Sequence, residues 1–211
     1  MGFPRTDDLL FFGYEALSSF LPFLLSFLFL ARCYQKRGRG LSAISCVGIL
    51  LFTTYVAAVY HFTGAGTLYE GMRYQIELPE HVNFVPFSNR IDPTEYVLNV
   101  VLFLPLGLLV PLIWDRARRL LPVLGLGTAF SVFLEATQLL NIRATDVDDV
   151  IMNLAGAALG FSAFKIIARA APQLPQKSIP LPFLPLSILV PYLGRFLLYN
   201  DMGLARLLYG F

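Results

Sequence analysis

Apolar residues in this chain come in long blocks rather than in stripes. Residues 9–31, 41–63, 95–114, 120–140 and 149–168 are each a nearly unbroken apolar run, and a weaker run covers 182–199. A helix on the surface of a soluble protein would show a 3.6-residue alternation instead. Each of the first five runs is close to the ~20 residues that cross ~30 Å of hydrocarbon. The pattern predicts an all-α fold: a polytopic transmembrane helix bundle of five or six spans. No repeat, low-complexity tract or soluble-domain-sized insertion interrupts it, so residues 1–211 read as a single membrane domain. Pro180, Pro182, Pro185 and Pro191 crowd the sixth run. It reads preferentially as a sixth span, the rival being a helix lying flat on the inner surface. Arg195 near its end is placed to snorkel to the interface. Residues 172–211 are thus a Pro-rich span with an amphipathic interfacial tail.

Composition agrees with this class. Hydrophobic residues make up 56% of the chain and charged ones 14%, against roughly 25% charged in a soluble domain. Mean hydropathy is +0.65. The first run is too long for the core of a signal peptide, and acidic Asp7 and Asp8 precede it where a signal carries basic residues. It reads as a retained span. Cys33 and Cys46 give neither a disulfide framework nor a metal spacing. A net charge of +2 gives no reason to expect a nucleic-acid partner.

The placement of charge sets the orientation. Arg32, Lys36, Arg37 and Arg39 follow the first run, Arg116, Arg118 and Arg119 the third, and Lys165, Arg169 and Lys177 the fifth. The alternate loops, 64–94 and 141–148, hold only Arg73, Arg90 and Arg143. Short cytoplasmic loops carry the Lys and Arg excess. The N-terminus and the two sparse loops are therefore expected outside the cell.

Against that frame the polar residues gather on one side. In the fourth run Ser131, Glu135 and Gln138 are spaced i, i+4, i+7 and share one helix face. Glu135 falls ~7 Å below the outer end of its run, and Asn153 ~6 Å below the outer end of the fifth. Asn99 sits about one turn into the third, at similar depth. Asp146, Asp148 and Asp149 crowd the mouth of the fifth run, and Asn83, Phe84, Val85, Pro86 and Phe87 end the long outer loop. Polar groups that converge at one depth in a bilayer suggest a functional site.

Each also has a plainer role. Gly156 and Gly160 form a small-x-x-x-small packing face. Asn99 and Asn153 can glue helices together, and Ser131 can bond its own backbone. One aspartate caps a helix, but three within four residues repel one another. An arginine, a polar substrate or a divalent cation held by Asp146, Asp148 and Asp149 would relieve that repulsion. A carboxylate as deep as Glu135 needs a partner, and Arg143 is the basic residue of the adjoining loop. His61 and His81 also lie on the outer side, but nothing pairs them into a metal site, and His81 reads as an ordinary loop residue.

These residues resemble the VanZ-like family of bacterial membrane proteins. Four motifs carry the resemblance, in order: the 83–87 segment; Asn99 with Phe103, Pro105 and Gly107; Ser131, Glu135 and Gln138; and Arg143, Asp146, Asp148, Asp149, Asn153 and Gly156. They span a core of residues 83–160. The resemblance implies a multi-pass protein of the bacterial cell membrane and a theme of resistance to teicoplanin, a lipoglycopeptide. Two functions of different class follow. In the first, the site binds a membrane lipid, a lipid-linked envelope intermediate or the lipoglycopeptide itself. Asn83, Asn99, Ser131, Gln138, Arg143, Asp146, Asp149 and Asn153 then contact the ligand, with the Arg143 guanidinium on phosphate. In the second, an intramembrane enzyme uses Glu135 or Asp148 as general acid or base. A third reading is an assembly factor whose polar layer only locks helices.

Orientation is directly testable. Cysteines introduced at Gly38 or Ala117 are expected to escape a membrane-impermeant thiol reagent in intact cells and to react after lysis. Reaction in intact cells would invert the arrangement.

Overall fold

The apolar runs become helices almost residue for residue. The computed structural model describes residues 6–73, 82–88, 92–140, 145–171 and 179–210. Within them, α1 (Thr6–Lys36), α2 (Ala43–Thr63), a short α3 (Leu68–Arg73), α4 (Pro93–Ile113), α5 (Leu120–Gln138), α6 (Val147–Ala170), α7 (Phe183–Leu198) and α8 (Asp201–Tyr209) follow in order. Helices α1, α2, α4, α5 and α6 are long and apolar enough to cross a membrane. α7 and α8 reach that length only as a pair bent by 42°. The architecture is all-α. One pairing departs from it: β1 (Val82–Asn83) lies parallel to β2 (Thr145–Asp146) for two residues. Nothing so short leaves a sequence pattern.

The helix ends follow local chemistry. Ser42 accepts a hydrogen bond from the Ser45 amide at 3.2 Å and opens α2. Asp92 does the same for Thr94 at 2.8 Å, with Pro93 in the first turn of α4, where its missing N–H is harmless. Asp146 caps α6 through the Asp148 amide at 3.0 Å. Gly64 ends α2 in the left-handed conformation, φ 61°.

The tightest packing is between α4 and α6, which run parallel. A Cβ on Gly156 would strike the Val100 carbonyl, one on Gly160 that of Leu104, and one on Gly107 that of Ala157. Backbone therefore touches backbone along this seam, and the small-residue face of α6 has its packing role. α5 returns beside α6. The pair α1 and α7 forms a second, antiparallel unit. Phe183 meets Phe27 and Tyr34 at ring separations of 5.7 and 5.6 Å, Gly194 lies against Ser18, and the Tyr14 hydroxyl donates to Leu198 O. α7 thus lies along α1 and not apart as a surface helix. α2 joins the two units: Tyr55 donates to Leu102 O at 2.9 Å and Tyr60 to Ile188 O at 2.8 Å.

Phe23, Phe52, Phe103, Leu106, Trp114 and Phe183 fill the interior. The outer faces are equally apolar: Phe29 is 70% exposed and Leu121 80%. Such a surface suits hydrocarbon and not water. The chain is a membrane protein. Among the described residues, Arg37 and Arg39 after α1, Arg116, Arg118 and Arg119 after α4, and Arg169 in the last turn of α6 share one end of the bundle, here the basic end. The described polar motif residues share the other. Ala117 is buried, and Gly38 has φ 73°. Gly40, exposed and with open space around its Cα, is the better labelling position.

Arg195 does not snorkel. Only 6% exposed, it is paired inside the bundle with Glu15 of α1 at 2.8 Å.

The seam makes a sharp expectation. Gly156→Ala and Gly160→Ala should each lower stability by ~1–3 kcal/mol, read as thermal unfolding in detergent. Gly125→Ala, whose added Cβ meets nothing within 4 Å, should be neutral or mildly stabilising. An unchanged unfolding temperature for Gly160→Ala would mean that the two backbones are not in contact.

Candidate functional site

The segment 82–88 is folded onto the start of α6. Asn83 Oδ1 accepts from the Val85 amide and from Ser88 Oγ, each at 3.1 Å, closing a tight turn. Its Nδ2 donates to Asp146 Oδ2 at 3.1 Å. At the far side of the turn Phe87 takes φ 56°, a strained value for an aromatic residue. Its amide donates to Asp148 Oδ1 at 2.9 Å, and its ring stands edge-on to Tyr96 at 6.3 Å. Phe84 and Phe87 point outward, 79% and 51% exposed, as suits rings at headgroup level.

The three aspartates at the start of α6 are turned to different partners. Asp146 caps the helix and holds Asn83. Asp148, buried, takes the Phe87 amide on one oxygen and the Tyr96 hydroxyl on the other, at 2.5 Å. Asp149 accepts from Asn99 Nδ2 of α4 at 2.6 Å. This division relieves the repulsion that their spacing implies. Among the described residues no three of His, Cys, Asp or Glu gather closely enough to hold a metal ion.

Deeper in the bundle lies a second polar layer. Ser131, Glu135, Gln138 and Asn153 are all buried. Ser131 reaches beyond its own helix: Asn153 Nδ2 donates to its Oγ at 2.9 Å and ties α6 to α5. Gln138 Nε2 donates to Thr63 O at 3.0 Å and ties α5 to the end of α2. Asn153 Oδ1 and Gln138 Oε1 find no hydrogen-bond partner among the described residues. Buried acceptors left so are rare and costly. Arg143, Arg90 and His81 lie outside the described residues.

Between α2 and α4 a crevice of about 550 Å³ joins these layers to the lipid-facing surface. Tyr55, Val59, Leu98, Leu102 and Pro105 make its apolar wall. Glu95, Asn99, Gln138 and Asp149 make its polar end. Sequence reasoning missed Glu95 and Tyr96. Tyr96 precedes Asn99 by three positions and so shares its face, a spacing that could have marked it.

A model of the VanZ/LLP1 family matches residues 41–168. The match takes in α2 to α5, α6 but for its last two residues, and the whole polar site, and leaves out all of α1, α7 and α8. No curated protein and no solved structure matches the chain.

Asp148→Ala removes the acceptor of both the Phe87 amide and the Tyr96 hydroxyl, a loss of ~1–3 kcal/mol. Hydrogen exchange across 82–88 should quicken by about tenfold or more. Ser162→Ala, which deletes only a bond within α6, is the control. Exchange at Phe87 that stays slow would mean that Asp148 does not hold the segment.

Proposed function

The chain belongs to the VanZ/LLP1 family, and we propose that it acts in the bacterial cell membrane, with its N-terminus and polar site outside, by binding a lipid-linked envelope intermediate. The apolar chain lies in the crevice between α2 and α4, and the head lies across Asn99, Gln138, Asp149 and the 83–87 segment. Resistance of the teicoplanin type would follow from occupying or shielding such an intermediate.

The observation that carries this reading is the two-part lining of the crevice. An apolar wall open to lipid leads to polar groups at a single level, the layout an amphiphile requires. The unpartnered acceptor of Gln138, which lines the crevice, suits a ligand rich in hydroxyl or amide donors. Arg143, three residues before Asp146 in sequence, brings the cation for a phosphate. Asp148, with both oxygens engaged, is a positioning residue here. It holds the 83–87 segment over the site.

Burial of Glu135, 7% exposed in the polar layer, favours one further reading. A carboxyl so placed is suited to proton transfer on a phosphate-containing lipid. On that reading Glu135→Gln keeps binding and loses turnover.

Polyprenyl monophosphate is the probe, its retention by the purified protein read by native mass spectrometry. Leu102→Trp, which fills the crevice, and Arg143→Ala should each weaken retention by about tenfold or more. Glu135→Gln should leave membrane insertion intact. If Glu135 and Arg143 form only a structural pair, Arg143→Ala strands a buried charge at ~3–5 kcal/mol, and Glu135→Gln with Arg143→Gln recovers both stability and binding. A binding site predicts recovered stability with retention still lost. Retention restored in the double variant, or unaffected by Leu102→Trp, would overturn the proposal.

A further inference from the structure

Openings other than the α2–α4 crevice adjoin α2. A slot of about 210 Å³ lies between α1 and α2, walled by Phe12, Ala16, Phe20, Ala58 and Phe62. The charges beside it serve one another. Glu15 of α1 accepts from Arg195 Nε of α7 at 2.8 Å, and its other oxygen lies 2.7 Å from His61 Nδ1 of α2. A larger opening, of about 640 Å³, lies at the basic end of the bundle, and its charges are unspent.

Tyr34, Arg39, Ser42, Ser45 and Arg116 make its polar lining. Both arginines stand on anchored turns. Gly38, at φ 73°, turns the chain at the end of α1, and the Arg39 amide donates to Tyr34 O at 2.9 Å. Arg116 belongs to the 3₁₀ turn Asp115–Ala117, closed by the Ala117 amide on Trp114 O at 2.9 Å. Among the described residues neither guanidinium has a partner, and neither has the Tyr34 hydroxyl. Ser42 and Ser45 spend one hydroxyl proton on the 2.9 Å bond between their oxygens, which leaves the other proton to donate. The open side chains are thus donors. The stretches of chain between α1 and α2, α4 and α5, and α6 and α7 hold one carboxylate, Asp115, and Arg118 takes it at 2.7 Å.

Two guanidiniums and two hydroxyl donors with no carboxylate among them suit a phosphate group. A headgroup that carries its own ammonium gains less here, since nothing in the polar lining is an anion. The rest of the lining points to the source. Leu41, Ile179 and Leu181 are apolar, and Leu181 is 44% exposed. A free phosphate has no use for such a surface, whereas a lipid brings hydrocarbon with its headgroup. We propose that Arg39 and Arg116 hold the phosphate of an anionic phospholipid from the leaflet at the basic end of the bundle. Tyr34 and the Ser42–Ser45 pair complete its hydrogen bonds, and the glycerol backbone rests on the apolar side. The inference does not rest on the function proposed for the α2–α4 crevice.

The test uses the full chain, stripped of lipid in detergent and exposed to dioleoyl phosphatidylglycerol or dioleoyl phosphatidylethanolamine. Retained lipid is counted by native mass spectrometry. The glycerol lipid should be held about tenfold better. Arg39→Gln with Arg116→Gln should erase that preference. Arg37→Gln with Arg119→Gln removes the same charge from the same end but outside the crevice, and should keep it. All four positions are exposed, and circular dichroism checks that the helices are kept. Inorganic phosphate, balanced against chloride of equal ionic strength, should leave the glycerol lipid in place. Leu102→Trp, which closes the α2–α4 crevice, should leave the preference intact, so the two sites fail separately. Equal retention of the two lipids by the unaltered protein would overturn the proposal. So would a preference that survives Arg39→Gln with Arg116→Gln, or one lost equally in both double variants, which is the mark of diffuse charge. Displacement of the lipid by inorganic phosphate would assign the crevice to a soluble phosphate and overturn the lipid as its occupant.

Discussion

The contact between the backbones of α4 and α6 governs the rest of the molecule. Glycines 107, 156 and 160 let two parallel helices approach until carbonyl groups of each fill the space where the other would carry a Cβ. Parallel helices in contact bring their N-termini together, and their partial positive charges oppose that. Carboxylates at those ends offset the repulsion. Asp148 and Asp149 in the first turn of α6, and Glu95 in the first turn of α4, stand where this requires them. The acidic cluster that looks excessive for one helix is proportionate for two.

The same contact assembles the polar site. Once the seam fixes the register, Asn99 can reach Asp149 and Tyr96 can reach Asp148 without further adjustment. Asp148 then anchors the strained turn at Phe87, which leaves the Phe84 and Phe87 rings exposed beside the start of α6. Precision at this end thus comes from rigid helices and not from the loop itself.

Much of this was legible in the chain. Five spans could be read because apolar blocks of bilayer length are nearly unmistakable. The shared face of Ser131, Glu135 and Gln138 followed from helical spacing alone, as did the depth of Asn99 and Asn153. What escaped depends on tertiary proximity. Glu15 and Arg195 are 180 positions apart, and each viewed alone resembles a charge near the end of a span. Arg195 reads as an interfacial residue until α7 is laid against α1. The two-residue pairing of β1 with β2 is too short for any alternation. Asp148 stood out in the acidic cluster, but its two partners, a backbone amide and a tyrosine hydroxyl, carry no motif of their own.

Ala58 and Phe62 line both crevices that flank α2. The helix is consequently a party wall, and the Phe62 ring, 71% exposed, belongs to both of its sides. A rotamer of that ring that gave room to one chamber would take it from the other, so the space on the two sides of the helix is shared. An occupant of one chamber that favoured one setting of that ring would alter the affinity of the chamber across the helix, and an occupant there would return the effect in equal measure.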